Sequence, residues 1–440
     1  MVLHVLPLLD PKPFHSAPAP PRPTPVDNNL DGYVLNSRFL FTTKIGAGTF
    51  GLIYLVQDMA TGASYAAKII LADHTTPEKS RGVDAKALIQ EKIHRYFACH
   101  RPLKAKELSL ESVQREGGNI PAVREIALQL TVHKHPNVAT IRHVLLLGEL
   151  AVITLMDYFP QGDLFGNIID RQIFQCPPPH QDKQLLMKNC MLQLIDAVAY
   201  CASKSVFHCD LKPENVMVSY NPEYRRPAHN KNVIDYGELQ IFLIDFGLAM
   251  SNNLICCNVC RGSSFYMAPE RIVNYNTCSL VKSLINMEEF CTDEKLRSEL
   301  ALKLFPTLAG DIWSLGVLFV NITCLKNPWP IANINDRQEV FHNYIVNDSS
   351  VLRTILPILR QFNQLLNSIF ALNPNQRIPL QKLAHKVVAC DFFNDPIEYN
   401  SQLYTPPQEF LSMATTPVST STDMDLCKAS IRTFECPHHT

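Results

Sequence analysis

The sequence predicts an α+β fold of two unequal lobes. Three observations carry this reading. Up to about residue 157 the chain runs in short apolar stretches punctuated by glycine, as hairpins of a small sheet do. From about 158 to 395 apolar residues recur at helical spacing over longer stretches, the longest being Leu185–Ser203. Polar loops break this pattern at its most apolar points, above all Val206–Asn215, VFHCDLKPEN, where an acid, a base and an amide fall within six residues. A crevice between two such lobes is the default ligand site.

Residues 1–33 are rich in proline, with APAPPRPTP at Ala17–Pro25, and cannot build a core. An unstructured tail and a ligand for an SH3-like groove both fit. Phe39–Ile45, Gly51–Gln57 and Ser64–Ile70 read as three strands joined by glycine-containing turns. Residues 72–120 read as an insertion. Within it, Val83–Phe97 puts Ala85, Leu88, Ile89, Ile93 and Phe97 on one helical face. Pro121 opens a helix, PAVREIALQLTVH, which His135-Pro136-Asn137-Val138 ends. Ala139–Leu147 and Ala151–Asp157 are two more strands, with Gly148 in the turn.

The second lobe begins with a helix opened by Asp163 and the long helix Leu185–Ser203. Short strands follow at Val216–Val218 and Gln240–Ile244, around a polar insert at 221–238. Residues 250–270 read as a loop. A further insert, 272–308, is expected to be helical from Glu288 to Leu304. Helices are expected at Asp311–Leu325, Ser350–Leu372 and Pro379–Val388, before a Ser/Thr-rich tail at 396–440.

Composition narrows the function. Of 440 residues, 46% are hydrophobic and 18% charged, ample for a large core. The net charge of −1 gives no strong field, which argues against nucleic acid as a partner. The apolar start, MVLHVLPLLD, lacks a basic leader and a cleavage site, and no run of apolar residues reaches membrane-spanning length. The fourteen cysteines therefore read as reduced thiols of an intracellular protein, cytoplasmic and/or nuclear.

The chemistry-bearing motifs come in a fixed order. Gly46-Ala47-Gly48-Thr49-Phe50-Gly51 fits G-x-G-x-x-G, but it lies between two strands rather than between a strand and a helix. That placement suits a flap over phosphates rather than a dinucleotide-binding turn. A plain hairpin fits it as well. Lys68 sits on the next, apolar strand, where a charge needs a partner; Glu125 is the obvious one. Glu91 and Glu107 compete with it. Leu243-Ile244-Asp245-Phe246-Gly247 sets a carboxylate at a strand end, and Asp245 with Asn215 offers the hard oxygen ligands that Mg²⁺ prefers. Asp210 would orient an attacking hydroxyl and take its proton, and Lys212 would neutralise charge on a transferred phosphoryl group. Met267-Ala268-Pro269-Glu270 and Asp311-Ile312-Trp313-Ser314-Leu315-Gly316 follow.

Together these seven motifs resemble a eukaryotic serine/threonine protein kinase over about residues 39–390. FYMAPE, DIWSLGVLFVNITCLKNPW and LNPNQRI are similar to fungal nutrient-responsive kinases that restrain mating and meiosis. The resemblance implies a bilobal protein kinase fold spanning 34–395, with a small lobe at about 34–157 and a larger one at about 158–395. It implies transfer of the ATP γ-phosphoryl group to protein hydroxyls with Mg²⁺. Ile45, Gly46, Ala47, Gly48, Thr49, Phe50, Gly51, Leu52 and Ile53 would form the ATP flap. Ala66 would pack on adenine, Met156 would guard the back of the pocket, and Asp157 to Phe159 would present backbone groups to the base. Lys68, Glu125, Asp210 and Lys212 would be catalytic, with Asn215 and Asp245 as metal ligands. Ser263 would bond near Asp210 and Lys212, and Glu270 would pair with Arg377. Glu214 would attract basic residues of a substrate, or stand as a solvated loop acid.

One departure stands out. Cys209 occupies the place of an arginine that, in the family, pairs with a phosphorylated activation-loop residue. Activity independent of such phosphorylation is the expectation. Cys256, Cys257 and Cys260 form a C-C-x-x-C cluster without a second pair at metal-binding spacing, so a structural role is favoured over zinc or redox sensing. Inserts and tails offer surfaces for regulatory partners; Thr405-Pro and Thr416-Pro fit proline-directed phosphorylation. Two rivals remain: a catalytically silent scaffold of the same fold, and a small-molecule kinase, which the peptide-docking segment around Glu270 disfavours.

Overall fold

The computed structural model describes residues 29–48, 51–72, 85–117, 121–227, 234–293, 302–335 and 339–393. Residues 1–28, the whole 396–440 tail with Thr405 and Thr416, Thr49 and Phe50 of the glycine-rich turn, and parts of the inserts lie outside the described residues.

The small lobe is built on one antiparallel sheet. Its strands are β1 (Val34–Leu35), β2 (Phe39–Gly48), β3 (Gly51–Asp58) and β4 (Ser64–Leu71). Helix α1 (Ala85–Cys99), strand β5 (Lys106–Leu108), helix α2 (Leu110–Glu116) and helix α3 (Pro121–Val132) follow, then β6 (Ile141–Leu147) and β7 (Ala151–Asp157). The sheet order is β1-β2-β3-β4-β7-β6-β5. β7, AVITLMD, is buried along most of its length, which explains its unbroken apolar run.

The expected insertion is thus part of this lobe rather than an appendage. β5 extends the sheet along β6, and its three residues are too few to show a strand period. α1 lays Ile93 and Phe97 into the core, with the Phe97 ring 5.4 Å from Phe41 and 5.7 Å from Tyr33. α2 packs on α3 through Val113 and Val123. The proline-rich tail also ends earlier than residue 33: Leu30 is buried in the same core, and its N–H donates to the Tyr54 hydroxyl.

The large lobe opens with α4 (Leu164–Ile169) and α5 (Lys183–Ser203), capped by Asp163 and Asp182, whose carboxylates accept from the N–H groups of Gly166 and Leu185. β8 (Val216–Tyr220) pairs with β9 (Leu239–Leu243), and the insert between them is closed by the buried ion pair Arg226–Glu238. β10 (Leu254–Cys256), α6 (Pro269–Ile272), α7 (Ser279–Leu284), β11 (Thr292–Asp293) and β12 (Leu302–Pro306) lead to the central helix α8 (Thr307–Cys324). Then come α9 (Val340–Val346), α10 (Leu352–Ile355), α11 (Arg360–Ile369) and α12 (Leu380–Ala389). α5 and α8 are long and apolar enough to cross a membrane, contrary to the expectation from sequence. Yet 67% and 94% of their most apolar windows are buried within the fold, so they serve as core helices.

Two helical expectations fail, each for a visible reason. Within Glu288–Leu304 the described residues at 292–293 and 302–304 are strand rather than helix: β11 and β12 pair with each other, and β12 also pairs with β10. Phe305 anchors that strand between Tyr275 and Phe290. Tertiary pairing overrides local helix propensity here. Ser350–Leu372 is two helices, because Pro357 forces Leu356 to extended geometry at ψ 142°.

A buried ion pair fastens this lobe. Both Arg377 Nη atoms donate to Glu270, each at 2.7 Å, with the two side chains at most 2% exposed. Removing one partner strands the other charge away from water. Arg377→Met is expected to lower stability by about 3–5 kcal/mol. Adding Glu270→Gln should cost less than the sum of the two single changes. Urea denaturation of the three variants checks this.

Candidate active site

The cleft is built from strand ends and one loop. On its upper side β3 and β4 put Ile53 opposite Lys68, so both side chains share one face of the sheet. Lys68 Nζ reaches two carboxylates at once. It donates to Glu125 Oε1 of α3 and, at 2.8 Å, to Asp245 Oδ1 beyond β9. The competing acids are engaged elsewhere: Glu91 pairs with Arg95, and Glu107 lies 2.6 Å from His143 Nδ1. Glu125 therefore stands where the sequence order put it.

The electrostatics follow from that contact. Burial works to lower the Lys68 pKa, but Asp245 and Glu125 outweigh it and hold the ammonium charged. The positive charge of Lys68 lowers the Asp245 carboxyl to about 2. Burial pushes Glu125 up, against the pull of Lys68. Asp245 itself takes a left-handed backbone, φ 60°, a strained conformation that turns its side chain back toward Lys68.

On the lower side lies the loop that joins α5 to β8. Asp210 Oδ1 accepts from the Ser263 N–H at 2.8 Å, and Oδ2 accepts from Asn215 Nδ2 at 3.0 Å. Lys212 Nζ donates to Ser263 Oγ at 2.9 Å and lies 3.4 Å from Asp210 Oδ2. Asn215 Nδ2 also donates to the Asp210 carbonyl, which fixes the amide so that its oxygen is the end not committed to Asp210. Glu214 is not a solvated loop acid: its Oε2 is buried with no hydrogen-bond partner, and burial pushes its pKa up.

The remaining predicted residues divide into two groups. Ala66 pairs with Met156 across β4 and β7, side by side at the back of the cleft. Asp157 turns its carboxylate to Arg142 at 2.7 Å, and Phe159 stacks on Phe242 with ring centroids 4.3 Å apart. Ile45 is exposed beside the flap, and Gly46 faces Ile53. Gly51 needs its missing side chain, because a Cβ there would overlap the Ile69 carbonyl oxygen. Leu52, by contrast, pairs with Ile69 and is fully buried in the small-lobe core. Strand alternation puts it on the face opposite Lys68, so its side chain does not line the cleft. Ala47 packs against the same core. Thr49 and Phe50 fall outside the described residues.

Three residues that support the site have no role assigned from sequence. Asp311 of α8 accepts the N–H groups of His208 and Cys209, each at 2.9 Å. His208 Nε2 lies 3.0 Å from the Ile244 carbonyl, joining the loop to the strand end that carries Asp245. Arg271, one residue past Glu270, is buried behind Cys209. Asp311 carried a signal in its motif, and Arg271 in being a charge beside an apolar docking segment. All cysteines among the described residues are free thiols, and no group of three His, Cys, Asp or Glu side chains among them is placed to hold a metal ion, the C-C-x-x-C cluster included.

Known proteins resemble this sequence. Residues 100–284 match the protein kinase domain family, a span that takes in Glu125, the 206–215 loop, Asp245 and Glu270 but starts after Lys68. The chain is 32% identical over 369 residues to the serine/threonine-protein kinase VHS1 of Saccharomyces cerevisiae, across 82% of this chain and 71% of that protein. It is 32% identical over 378 residues to SKS1 of the same yeast, across 83% of this chain and 67% of that protein. To the negative regulator of sexual conjugation and meiosis of Schizosaccharomyces pombe it is 31% identical over 361 residues, across 82% of this chain and 62% of that protein.

The Lys68 contact makes a prediction. Lys68 holds the Asp245 carboxyl below its ordinary value, so its stabilising contribution is full above the ordinary carboxylate range and is lost as pH falls through the lowered value. In Lys68→Met the attraction goes and burial remains. Asp245 should then titrate at higher pH, read from its carboxyl carbon by NMR. An unchanged titration would refute the pairing.

Proposed function

The chain belongs to the serine/threonine protein kinases, and on that premise we propose how the residues of its cleft divide the transfer of the ATP γ-phosphoryl group to protein Ser and Thr hydroxyls. The observation that carries the proposal is the meeting of Lys68, Glu125 and Asp245 directly above the Asp210–Lys212–Ser263 cluster.

Asp210 orients the acceptor hydroxyl and takes its proton. Its Oδ1 is already held by the Ser263 N–H and its Oδ2 by Asn215, which aims the carboxylate and leaves one further lone pair on each oxygen for the substrate. Lys212 neutralises charge on the transferred group, and Lys68, kept in place by Glu125, binds phosphate oxygens. Gly46, Gly48 and Gly51 let backbone N–H groups approach those phosphates, with Ile45, Ile53, Ala66 and Met156 around the base. Catalysis of this kind is mostly positioning and electrostatics.

The donor set also fits Mg²⁺. Two ammonium groups, Lys68 and Lys212, face three carboxylates, Glu125, Asp245 and Asp210, before any phosphate arrives. A nucleotide triphosphate needs further positive charge there, and hard oxygens are available on Asp245 and Asn215. Bound there, the ion would offset phosphate charge and fix the triphosphate. Glu214, with its unpaired buried oxygen, would favour a basic residue in the protein substrate. We place the kinase domain at 34–395, with inserts and tails as surfaces for regulatory partners, and the protein as intracellular, cytoplasmic and/or nuclear. A signalling role like that named for the fission yeast relative, restraint of conjugation and meiosis, is the physiological reading.

Asp210→Asn should lower phosphate transfer by about 10²–10⁴-fold while leaving nucleotide binding intact. A radiolabelled-phosphate assay beside an ATP-analogue titration checks both; a mutant equal to wild type would favour the scaffold. A second expectation concerns Cys209, which brings no cation to the activation segment, while the β10–β12 pairing already orders part of that segment. Phosphatase-treated protein should therefore keep most of its activity. Near-complete loss in the same assay would overturn that expectation.

A further inference from the structure

Arg271 is the most deeply placed cation near the catalytic loop, 2% exposed, and among the described residues it has no carboxylate at ion-pair distance. A buried guanidinium must be satisfied some other way. This one collects carbonyl oxygens from three separate segments. Nη2 donates to Thr307 at 3.0 Å, and Nη1 lies 3.5 Å from both the Cys209 and the Arg261 carbonyls. Nη2 is also 3.8 Å from the Cys209 sulfur.

The identities of those three residues give the contact its meaning. Cys209 immediately precedes Asp210. Arg261 lies two residues before Ser263, whose N–H holds Asp210 Oδ1 at 2.8 Å. Thr307 starts the central helix, and its N–H and hydroxyl are in turn tied to the carbonyls of Asn253 and Asn252 in the activation segment. One guanidinium thus sits between two carbonyls that would otherwise repel, on either side of the Asp210–Ser263 contact. The fold makes room for it: a Cβ on Gly310 would overlap the Arg271 guanidinium, so this turn of α8 is glycine.

We propose that Arg271 is a positioning residue for phosphoryl transfer: by bridging the Cys209 and Arg261 carbonyls it fixes Asp210 against Ser263 in the unphosphorylated chain. The proposal rests on Asp210 as the base. A small displacement of such a group costs rate rather than nucleotide affinity. The contact needs a planar, multi-pronged cation, so lysine replaces it only in part.

The test is a kinetic double-mutant cycle on the full chain, with MgATP and histone as a generic acceptor. Arg271→Met should lower kcat by about 10–100-fold, with KM for ATP within about twofold of wild type. Arg271→Lys should fall between. Gly310→Ala favours helix formation yet pushes on the guanidinium, so it should also lower kcat while the protein melts normally. Because both act through one contact, the double variant should be no worse than Arg271→Met alone. Folded Arg271→Met with wild-type kcat overturns the proposal. So do additive losses, and so does unfolding or loss of ATP affinity in Arg271→Met while Gly310→Ala keeps wild-type kcat, since that pattern marks a structural role only. Asp210→Asn as active as wild type would sink the reading of Asp210 and this proposal with it; an inactive Asp210→Asn beside a fully active Arg271→Met sinks this proposal alone.

Discussion

The catalytic loop hangs on one buried carboxylate. Asp311 is 1% exposed, and its two oxygens accept the successive N–H groups of His208 and Cys209. Burial pushes its pKa up, opposed by the nearby positive groups and by those two N–H donors. Two donors in a row from adjacent residues require an unusual bend, and Cys209 supplies it with φ 63°. Such a conformation costs on the order of 1–3 kcal/mol and persists only where the surroundings over-determine it. Here the surroundings are α8, buried along nearly its whole length. The bend throws Asp210 outward toward Ser263, while His208 reaches across to Ile244 and so sets the strand end from which Asp245 turns. The positions of Asp210 and Asp245 are both traceable to that one side chain on the core helix.

The cleft adds a second constraint from above. Lys68 is a cation that β4, α3 and the turn after β9 all share. Withdraw any one of the three elements and a partly buried charge loses a partner, which is why the upper and lower sides of the site are set together. The long segment between Lys68 and Glu125 does not weaken this. Its α1, β5 and α2 are packed into the small lobe, so the entropy of that connection is spent on folding the lobe itself rather than on closing a loose loop.

Much of this was legible in the sequence, for a physical reason: the residues that carry charge into apolar surroundings are conspicuous. Lys68 on its strand, Asp245 at a strand end and the Asp210–Asn215 spacing could be paired from order alone. What sequence did not show was decided by tertiary contact. β5 is too short to show a period, and β12 is a strand because β10 and β11 are there to pair with it. Leu52 belongs to the flap by position, while alternation along β3 sends its side chain into the core. The break at Leu356 is written in the sequence, since Pro357 disfavours a helical residue before it. Arg271 is visible in sequence as a charge beside an apolar segment, but its role is not, because its partners are backbone carbonyls, which no side-chain pattern records.

Cys209 and Arg271 are best understood as a reciprocal pair. The Cys209 side chain is buried, and that burial, with Asp311 adding to it, raises its thiol to about 12, so it is an uncharged filler rather than a reactive group. Its sulfur lies 3.8 Å from the Arg271 guanidinium. An arginine at 209 would set two guanidinium groups against each other in a space with no added carboxylate, an arrangement a buried site does not tolerate. A small neutral side chain in the loop and a buried cation on the neighbouring helix are therefore one solution to one problem. Positive charge is still delivered between the catalytic loop and the activation segment, but it comes from inside the large lobe, where carbonyl dipoles receive it. A cation anchored on carbonyls needs no added phosphate to complete it, and the order of the activation segment then rests on packing, the β10–β12 pairing and Arg271, all of which the folded chain supplies itself.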